Sequence, residues 1–265
     1  MVGRPLAKTV RPPLAVGKPV LELTDVTVQA SQQQTLLHQV NLTLHQHEIV
    51  GIAGVSGNGQ AALFDLISGL IAPTRGSLRL YGQEVRQFSP TSMVTAGVAR
   101  IPEDRHSTGL VADMSIWENL ILEHHQETAF SQAGLLKLEA ANRHAEALIE
   151  AFDVRCPSPT AIVRLLSGGN MQKLILGRVL SRSPQVIIAS QPTRGLDLGA
   201  VTYVHQQLLE ARERGAGILL ISEDLEELLS LSDRIAVIYK GQLSQPIASE
   251  AVQVRELGLQ MAGKM

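Results

Sequence analysis

Two stretches of this chain have residue types that hold phosphate. The first is Leu166-Ser167-Gly168-Gly169-Asn170-Met171-Gln172-Lys173. Ser167 is a favoured N-cap residue, and an amphipathic run of Leu174, Ile175, Val179 and Leu180 follows it. Paired glycines directly after a cap weaken a helix, so they make sense where another backbone or a ligand comes close to the helix start. The free N–H groups and partial positive charge there suit a phosphate. The plain alternative is an ordinary helix entry through a glycine turn. The second stretch is Gly54-Val55-Ser56-Gly57-Asn58-Gly59-Gln60-Ala61. It lies between a short apolar strand at residues 48–53 and the helical pattern Leu63, Leu66, Ile67, Leu70. Strand, glycine loop and helix make a phosphate cradle, and the alternative is a glycine turn into a core helix. Against the phosphate-loop consensus G-x-x-x-x-G-K-[ST], both glycines are in place, but Gln60 stands at the lysine and Ala61 at the hydroxyl that binds Mg²⁺. The nest of backbone N–H groups is expected to survive without the cation and without one metal ligand.

The residues downstream of Ser167 decide between these readings. The apolar run Val186-Ile187-Ile188-Ala189 follows the helix, and Ser190-Gln191-Pro192-Thr193-Arg194-Gly195-Leu196-Asp197 follows that. Leu-Ser-Gly-Gly-Asn, a buried strand and then Pro-Thr-Arg-Gly-Leu-Asp resemble an ATP-binding-cassette (ABC) nucleotide-binding domain over roughly residues 20–243. The resemblance is strongest to the sugar and nucleoside import branch, the basic-membrane-protein type included. Within that branch it is strongest to the second, degenerate cassette of two fused in one polypeptide. The segment around Tyr203-Val204-His205 looks nearer to the nucleoside type than to the ribose type.

The resemblance implies an α/β cassette: a RecA-like core with a mixed sheet, an N-terminal antiparallel β portion and a helical subdomain at about residues 103–160. It implies that Gly54 to Ala61 and Glu103 bind the chain's own ATP. Ser167, Gly168, Gly169 and Asn170 would hold the γ-phosphate of ATP bound to the opposite cassette, and Asp197 would face that cassette. Four positions depart from the family's catalytic pattern. Gln60 replaces the lysine, and Ser190 and Gln191 replace the aspartate and glutamate that order Mg²⁺ and polarise the attacking water. Glu223 replaces the switch histidine. Glu103 stands where the family has glutamine, and no aromatic lies between Val28 and Leu36 to stack on adenine. Ile101-Pro102-Glu103-Asp104-Arg105 resembles the segment near the membrane-subunit contact, although such a charged triplet is more often a solvated turn.

The implied function is the second cassette of an importer ATPase, with Mg²⁺ weak or absent at its own site and little hydrolysis by the lone chain. The implied partners are a cassette in the N-terminal half of the same polypeptide, transmembrane permease subunits and, indirectly, a periplasmic or lipoprotein substrate-binding protein. The expected location is the cytoplasmic face of the membrane. The alternatives are a soluble tandem ABC factor acting on ribosomes or nucleic acid, and a structural pseudo-ATPase that binds no nucleotide.

The elements that must position these residues are legible in outline. The chain has 265 residues, enough for one large domain, and 45% of them are hydrophobic, enough for a sizeable core. A formal net charge of -2 argues against non-specific nucleic-acid binding. The single cysteine, Cys156, rules out an internal disulfide and fits a reducing compartment. No apolar run approaches the ~18 residues of a membrane span, and no secretory signal is evident.

Residues 1–19, with Pro5, Pro12, Pro13 and Pro19 and no acid, read as a flexible linker ahead of a domain at 20–265. Alternation predicts strands at residues 20–28 and around Val40, Leu42 and Leu44, with a turn or loop at 29–35. Further strands are expected at Leu78–Leu80, 98–101, Ile218 and Ile235, and the alternation of strands with helices predicts a parallel sheet. Ser89-Pro90 reads as a helix start, and Ser115 with Glu118 as a capping box. Residues 138–152 and 249–265 read as helices. Asp197 reads equally well as a helix N-cap. No metal site is expected: His45 and His47 are placed on one strand face without further ligands, and His124-His125 on exposed helix surface. Trp117 is assigned to packing of the subdomain.

Overall fold

The computed structural model describes residues 11–31 and 34–263. In chain order the elements are β1 (Pro19–Ser31), β2 (Gln34–His45), β3 (Ile49–Ala53), α1 (Gln60–Ile67), β4 (Arg75–Leu80), β5 (Gln83–Glu84), α2 (Pro90–Thr95) and β6 (Val98–Ile101). A π-helical turn (Arg105–Gly109), α3 (Ile116–Ile121), β7 (Ser131–Gln132), β8 (Leu135–Leu136), α4 (Leu138–Ala151), a short 3-10 turn (Val163–Leu165) and α5 (Gly168–Leu180) follow. The chain closes with β9 (Val186–Ser190), α6 (Leu198–Glu213), β10 (Gly217–Ser222), α7 (Leu225–Leu231), β11 (Arg234–Tyr239), β12 (Gln242–Leu243), β13 (Ile247–Ala248), a 3-10 turn (Ser249–Ala251) and α8 (Val254–Met261).

The main sheet runs β12-β11-β3-β10-β9-β6, with β13 also on β11. β11, β3, β10, β9 and β6 are parallel, and β12 and β13 join antiparallel, so the sheet is mixed. A separate antiparallel sheet, β2-β1-β4-β5, covers one side. Both faces of the main sheet are buried, which is why its strands read as continuous apolar runs. Ile49, Ala53, Ile218 and Leu220 face the layer of α3 to α8. Val50, Ile52, Leu219 and Ile221 face α1, α2 and the antiparallel sheet. Residues 103–160 hold the π-helical turn, α3, α4 and a β7–β8 hairpin that periodicity does not announce. The capping boxes at Ser89 and at Ser115 with Glu118 are both formed.

Several expectations are corrected. β1 and β2 run through most of the expected loop at 29–35, because the ladder continues at Gln29↔Thr35 and Ser31↔Gln34. Residues 1–10 of the expected linker lie outside the described residues, but 11–18 are fastened to the domain. Arg11 meets Asp233 at 3.5 Å and bonds Ser249, the carbonyl of Pro12 accepts from Arg212 at 2.8 Å, and Gly17 and Lys18 pair with Gln46. Arg212 is only 1% exposed and forks Asp233, whose other bond holds the first amide of β3. His47 is not on the strand face of His45. It turns with φ 61, while His45 bonds Glu48. His124 is half-buried against Glu127 rather than on open helix surface, and burial lowers its pKa. Trp117 packs beside Ile121, Phe130 and Ala141.

Candidate functional site

The registers of β3, β10 and β9 bring three chain segments level. Ser222 pairs with Ala53, and Ile221 pairs with Ser190. The carboxyl ends of these strands therefore release the Gly54–Gly59 loop, Glu223 and Gln191 side by side, the usual place for a ligand in an open parallel sheet. The loop needs its glycines for two different reasons. A Cβ on Gly54 would sit 2.7 Å from the Ile238 carbonyl, so the backbone approaches β11 too closely for a side chain. Gly57 and Gly59 take φ +87 and +115, and the space beside Gly57 is open. Asn58 staples the loop: its side chain donates to the Val55 carbonyl at 2.8 Å and accepts from the Lys240 amide at 3.1 Å, and its carbonyl accepts from Gly241.

Gln60 behaves differently from what the loop sequence suggests. Its Oε1 accepts from the Asn58 amide at 3.0 Å, and its Nε2 donates to the Val55 carbonyl at 2.8 Å. The side chain thus bridges the loop, and one N–H of the expected nest is already in use.

Across the cleft, Ser190 is buried and Gln191 takes φ 47, an uncommon left-handed backbone for glutamine. The Gln191 amide donates to Ile221 at 2.8 Å, and its side-chain oxygen accepts from the Glu223 amide at 3.4 Å. Ala61 presents an exposed methyl group. Among the described residues no three His, Cys, Asp or Glu side chains are grouped to hold a metal. The donor set at the loop, a hydroxyl and two amides, is poor for Mg²⁺, which favours carboxylates. Asp65 is a carboxylate that the motif comparison missed. It lines the cleft one helical turn beyond Ala61, and burial raises its pKa. Its i,i+4 spacing from Ala61 was the available signal.

The cleft encloses about 1270 Å³ between the loop and the π-helical turn. Gly57, Gly59, Gln60, Glu103, Ser190, Gln191 and Glu223 all border it. Ser167 to Asn170 do not. Ser167 caps α5, its Oγ accepting from the Asn170 amide at 3.4 Å and from the Asn170 side chain at 2.9 Å, while Asn170 Oδ1 accepts from Arg155. Ser167 is exposed and the glycines beside it are half-buried. Asp197 caps α6 through the Ala200 amide at 3.0 Å and is exposed.

The π-helical turn ties these parts together. Asp104 caps it through the amides of His106 and Ser107, and the hydrogen bond from the Ser107 hydroxyl leads the contacts that hold its carboxyl below the usual range. Glu103 ion-pairs with Arg194. Arg105 donates from both Nη atoms to the Arg194 carbonyl at 2.9 Å each. Arg178, 5% exposed on α5, donates to the Gly109 carbonyl at 2.7 Å, and burial lowers its pKa. Sequence pattern had singled out neither Arg105 as a contact nor Arg178 at all. The solvated-turn reading of Glu103-Asp104-Arg105 therefore holds only in part.

The family model described as ABC transporter matches residues 37–194, which span the loop, the α5 start and the turn at Arg194. This chain belongs to the ABC transporter family. It is 40% identical over 264 residues to a guanosine import ATP-binding protein of Bacillus subtilis (strain 168), covering 99% of this chain and 52% of that protein. It is 39% identical to a nucleoside import ATP-binding protein of Lactococcus lactis subsp. cremoris (strain MG1363), again over 99% of this chain and 52% of that protein. A glucose import ATP-binding protein of Haloferax volcanii is 41% identical over 99% of this chain and 48% of its own length. The ABC chain thus spans about half the length of the curated relatives it matches. Among solved structures, a nucleotide-free ATP-binding cassette superposes with a TM-score of 0.73 at 19% identity, over 93% of this chain and 96% of that one. A dimeric cassette bound to ADP and phosphate gives 0.72 at 21%, over 88% and 100%. These likenesses show the ABC cassette fold.

Proposed function

We propose that this chain is the second, catalytically degenerate cassette of an ABC importer for nucleosides or sugars, and that it lends Ser167, Gly168, Gly169 and Asn170 to ATP held by a partner cassette. The observation that carries the reading is the separation of two phosphate-type features. Ser167 to Asn170, the capped, glycine-rich start of α5 with Ser167 exposed, do not border the chain's own cleft, while inside the cleft the Gln60 amide spans the loop. A helix start of this kind suits a phosphate supplied from elsewhere. The half-length match to import proteins supports a partner cassette in the same polypeptide. Their printed import activities support a nucleoside or sugar as cargo and a permease as the membrane partner; an indirect link to a substrate-binding protein and a place on the cytoplasmic face of the membrane complete the proposal. Among the described residues no helix is long and apolar enough to cross a membrane.

Within this reading Gln60 cannot supply the cation that a transferring phosphate needs. Losing one such electrostatic element costs about 3 kcal/mol, or ~10²–10³ in rate. Gln191 offers no basic oxygen, and a general base contributes about 10²–10⁴-fold. The two losses are not additive where the groups act together. The test is the ATPase rate of this chain alone, of the partner cassette alone and of the two combined. The lone chain should be at background. Ser167→Arg should silence the combination, and Gln191→Ala should leave it nearly unchanged. Brisk turnover by the lone chain would overturn the reading. A second reading, a structural cassette that binds no nucleotide, is favoured by the loop contacts of Gln60. Calorimetric titration with ATP separates it from a cassette that holds ATP as a stable wedge.

A further inference from the structure

We infer that Arg105 is a positioning residue for the surface that this chain presents to the partner's ATP, an inference that rests on the reading above. Its guanidinium sits where three segments meet. Both Nη atoms converge on the Arg194 carbonyl at 2.9 Å. A Cβ built on Gly168, the first residue of α5, would lie 3.5 Å from Nε and 3.6 Å from Nη2. A Cβ on Gly195 would lie 3.3 Å from Nη2. One planar group therefore fills the gap between the start of α5 and the turn that leads to Asp197.

That turn is closed by two i→i+3 backbone bonds, Arg194 to Gln191 and Leu196 to Thr193, each 3.1 Å, and by the contacts from Glu103 and Arg105. Gly195 takes φ +68, so its backbone has freedom that other residues lack. Glu103, two residues before Arg105, grips the side chain of Arg194 while Arg105 grips its carbonyl. The two helix starts also lie close: a Cβ on Gly169 would lie 3.4 Å from the Ala200 Cβ and 3.9 Å from Asp197 Oδ2. Ser167 to Gly169 and Gly195 to Asp197 thus form one surface, and Arg105 sets the spacing between its halves.

The chemistry favours arginine at this point. Two donors in a rigid fork fix direction as well as distance, whereas lysine brings one compact ammonium on a flexible stem. The delocalised charge beside Gly168 also adds to the positive end of α5, where a phosphate would be received. Donors that stabilise developing charge act through placement, and a misplacement of about 1 Å can cost on the order of 10²-fold in rate.

The experiment combines this chain with its partner cassette and measures hydrolysis of Mg·ATP for wild type, Arg105→Ala, Arg105→Lys and Ser167→Arg. Thermal melting of each chain is followed in parallel. Expected is a fall in kcat of about tenfold or more for both Arg105 variants, with KM for ATP within about twofold. KM should hold because the partner's own loop binds the nucleotide. Millimolar guanidinium ion should recover part of the Arg105→Ala loss, a readout that a merely structural role would not move. If Ser167→Arg silences the pair but Arg105→Lys keeps the wild-type kcat, or Arg105→Ala raises KM instead of lowering kcat, the positioning role is overturned. If Ser167→Arg leaves the pair active, the donated-surface reading itself fails, and this inference fails with it.

Discussion

Gln60→Ala is expected to tighten, not weaken, the binding of ATP to the isolated chain. In an intact phosphate loop the residue at this position assists the nucleotide, and its removal harms binding. Here the Gln60 amide makes two hydrogen bonds inside the loop, from the Asn58 amide at 3.0 Å and to the Val55 carbonyl at 2.8 Å. A phosphate that uses the Asn58 N–H must first displace them. Each such bond is worth about 0.5–1.5 kcal/mol net, and Gln60 is half-exposed, so about 1–2 kcal/mol opposes entry. Removing the side chain releases that cost, which corresponds to roughly 5- to 30-fold in affinity. The Asn58 side chain stays bonded to Val55 and Lys240, so the loop keeps its staple when the amide is gone. Gln60→Lys should also tighten binding, because lysine can donate to Val55 but cannot accept from Asn58. The assay is isothermal titration of the lone chain with ATP in EDTA, which needs no partner and no hydrolysis. Equal or weaker binding by Gln60→Ala would refute the argument and make the loop contacts of Gln60 part of a nucleotide-competent cradle.

Other expectations follow from separate features. ATP affinity of the lone chain should change little between Mg²⁺ and EDTA, since Ala61, Ser190 and Gln191 offer no carboxylate to order the ion. A large gain with Mg²⁺ would contradict that donor set. Arg212→Ala should destabilise the fold by about 3–5 kcal/mol in denaturant unfolding, because it strands Asp233, which also holds the Ile49 amide. Loss of less than about 1 kcal/mol would show that Arg11 suffices as partner. Glu227 is 4% exposed; burial pushes its carboxyl up, but hydrogen bonds led by that of His205 outweigh it and hold the pKa below 4.5. Because the folded pKa is lowered, the stability it contributes is present in full above the ordinary value and is lost as pH falls through the folded one. The melting-temperature gap between wild type and Glu227→Gln should therefore hold from neutral down to about 4.5 and narrow as pH falls below it, and a gap that stays constant below 4.5 would contradict it.

What the sequence determined by itself was whatever short spacing encodes. The strand at Ile49–Ala53, the glycine loop after it, the Ser115 and Glu118 capping box and the Ser167 cap ahead of α5 all depend on residues a few positions apart, and each is in place. The Leu-Ser-Gly-Gly-Asn stretch with its downstream strand and turn was enough to place the family. The β7–β8 hairpin escaped because its turn residues Ala133 and Gly134 join strands of two residues each, too short to show a period. Residues 29–35 read as a loop because a polar run carries no alternation, and only pairing across the ladder, Gln29 with Thr35 and Ser31 with Gln34, makes those four strand.

Tertiary structure alone decided where the side chains reach. Gln60 could have pointed at a ligand, and the position of the Val55 carbonyl turned it into the loop. Arg105 and Arg194 are 89 positions apart, and Arg11 and Ser249 are 238 apart. Partners at such separations leave no periodic trace, since a charged residue has the same local preferences whether it meets water or a distant carbonyl. The registers that set Ser190 beside Ile221 and Ser222 beside Ala53 likewise join segments far apart in the chain.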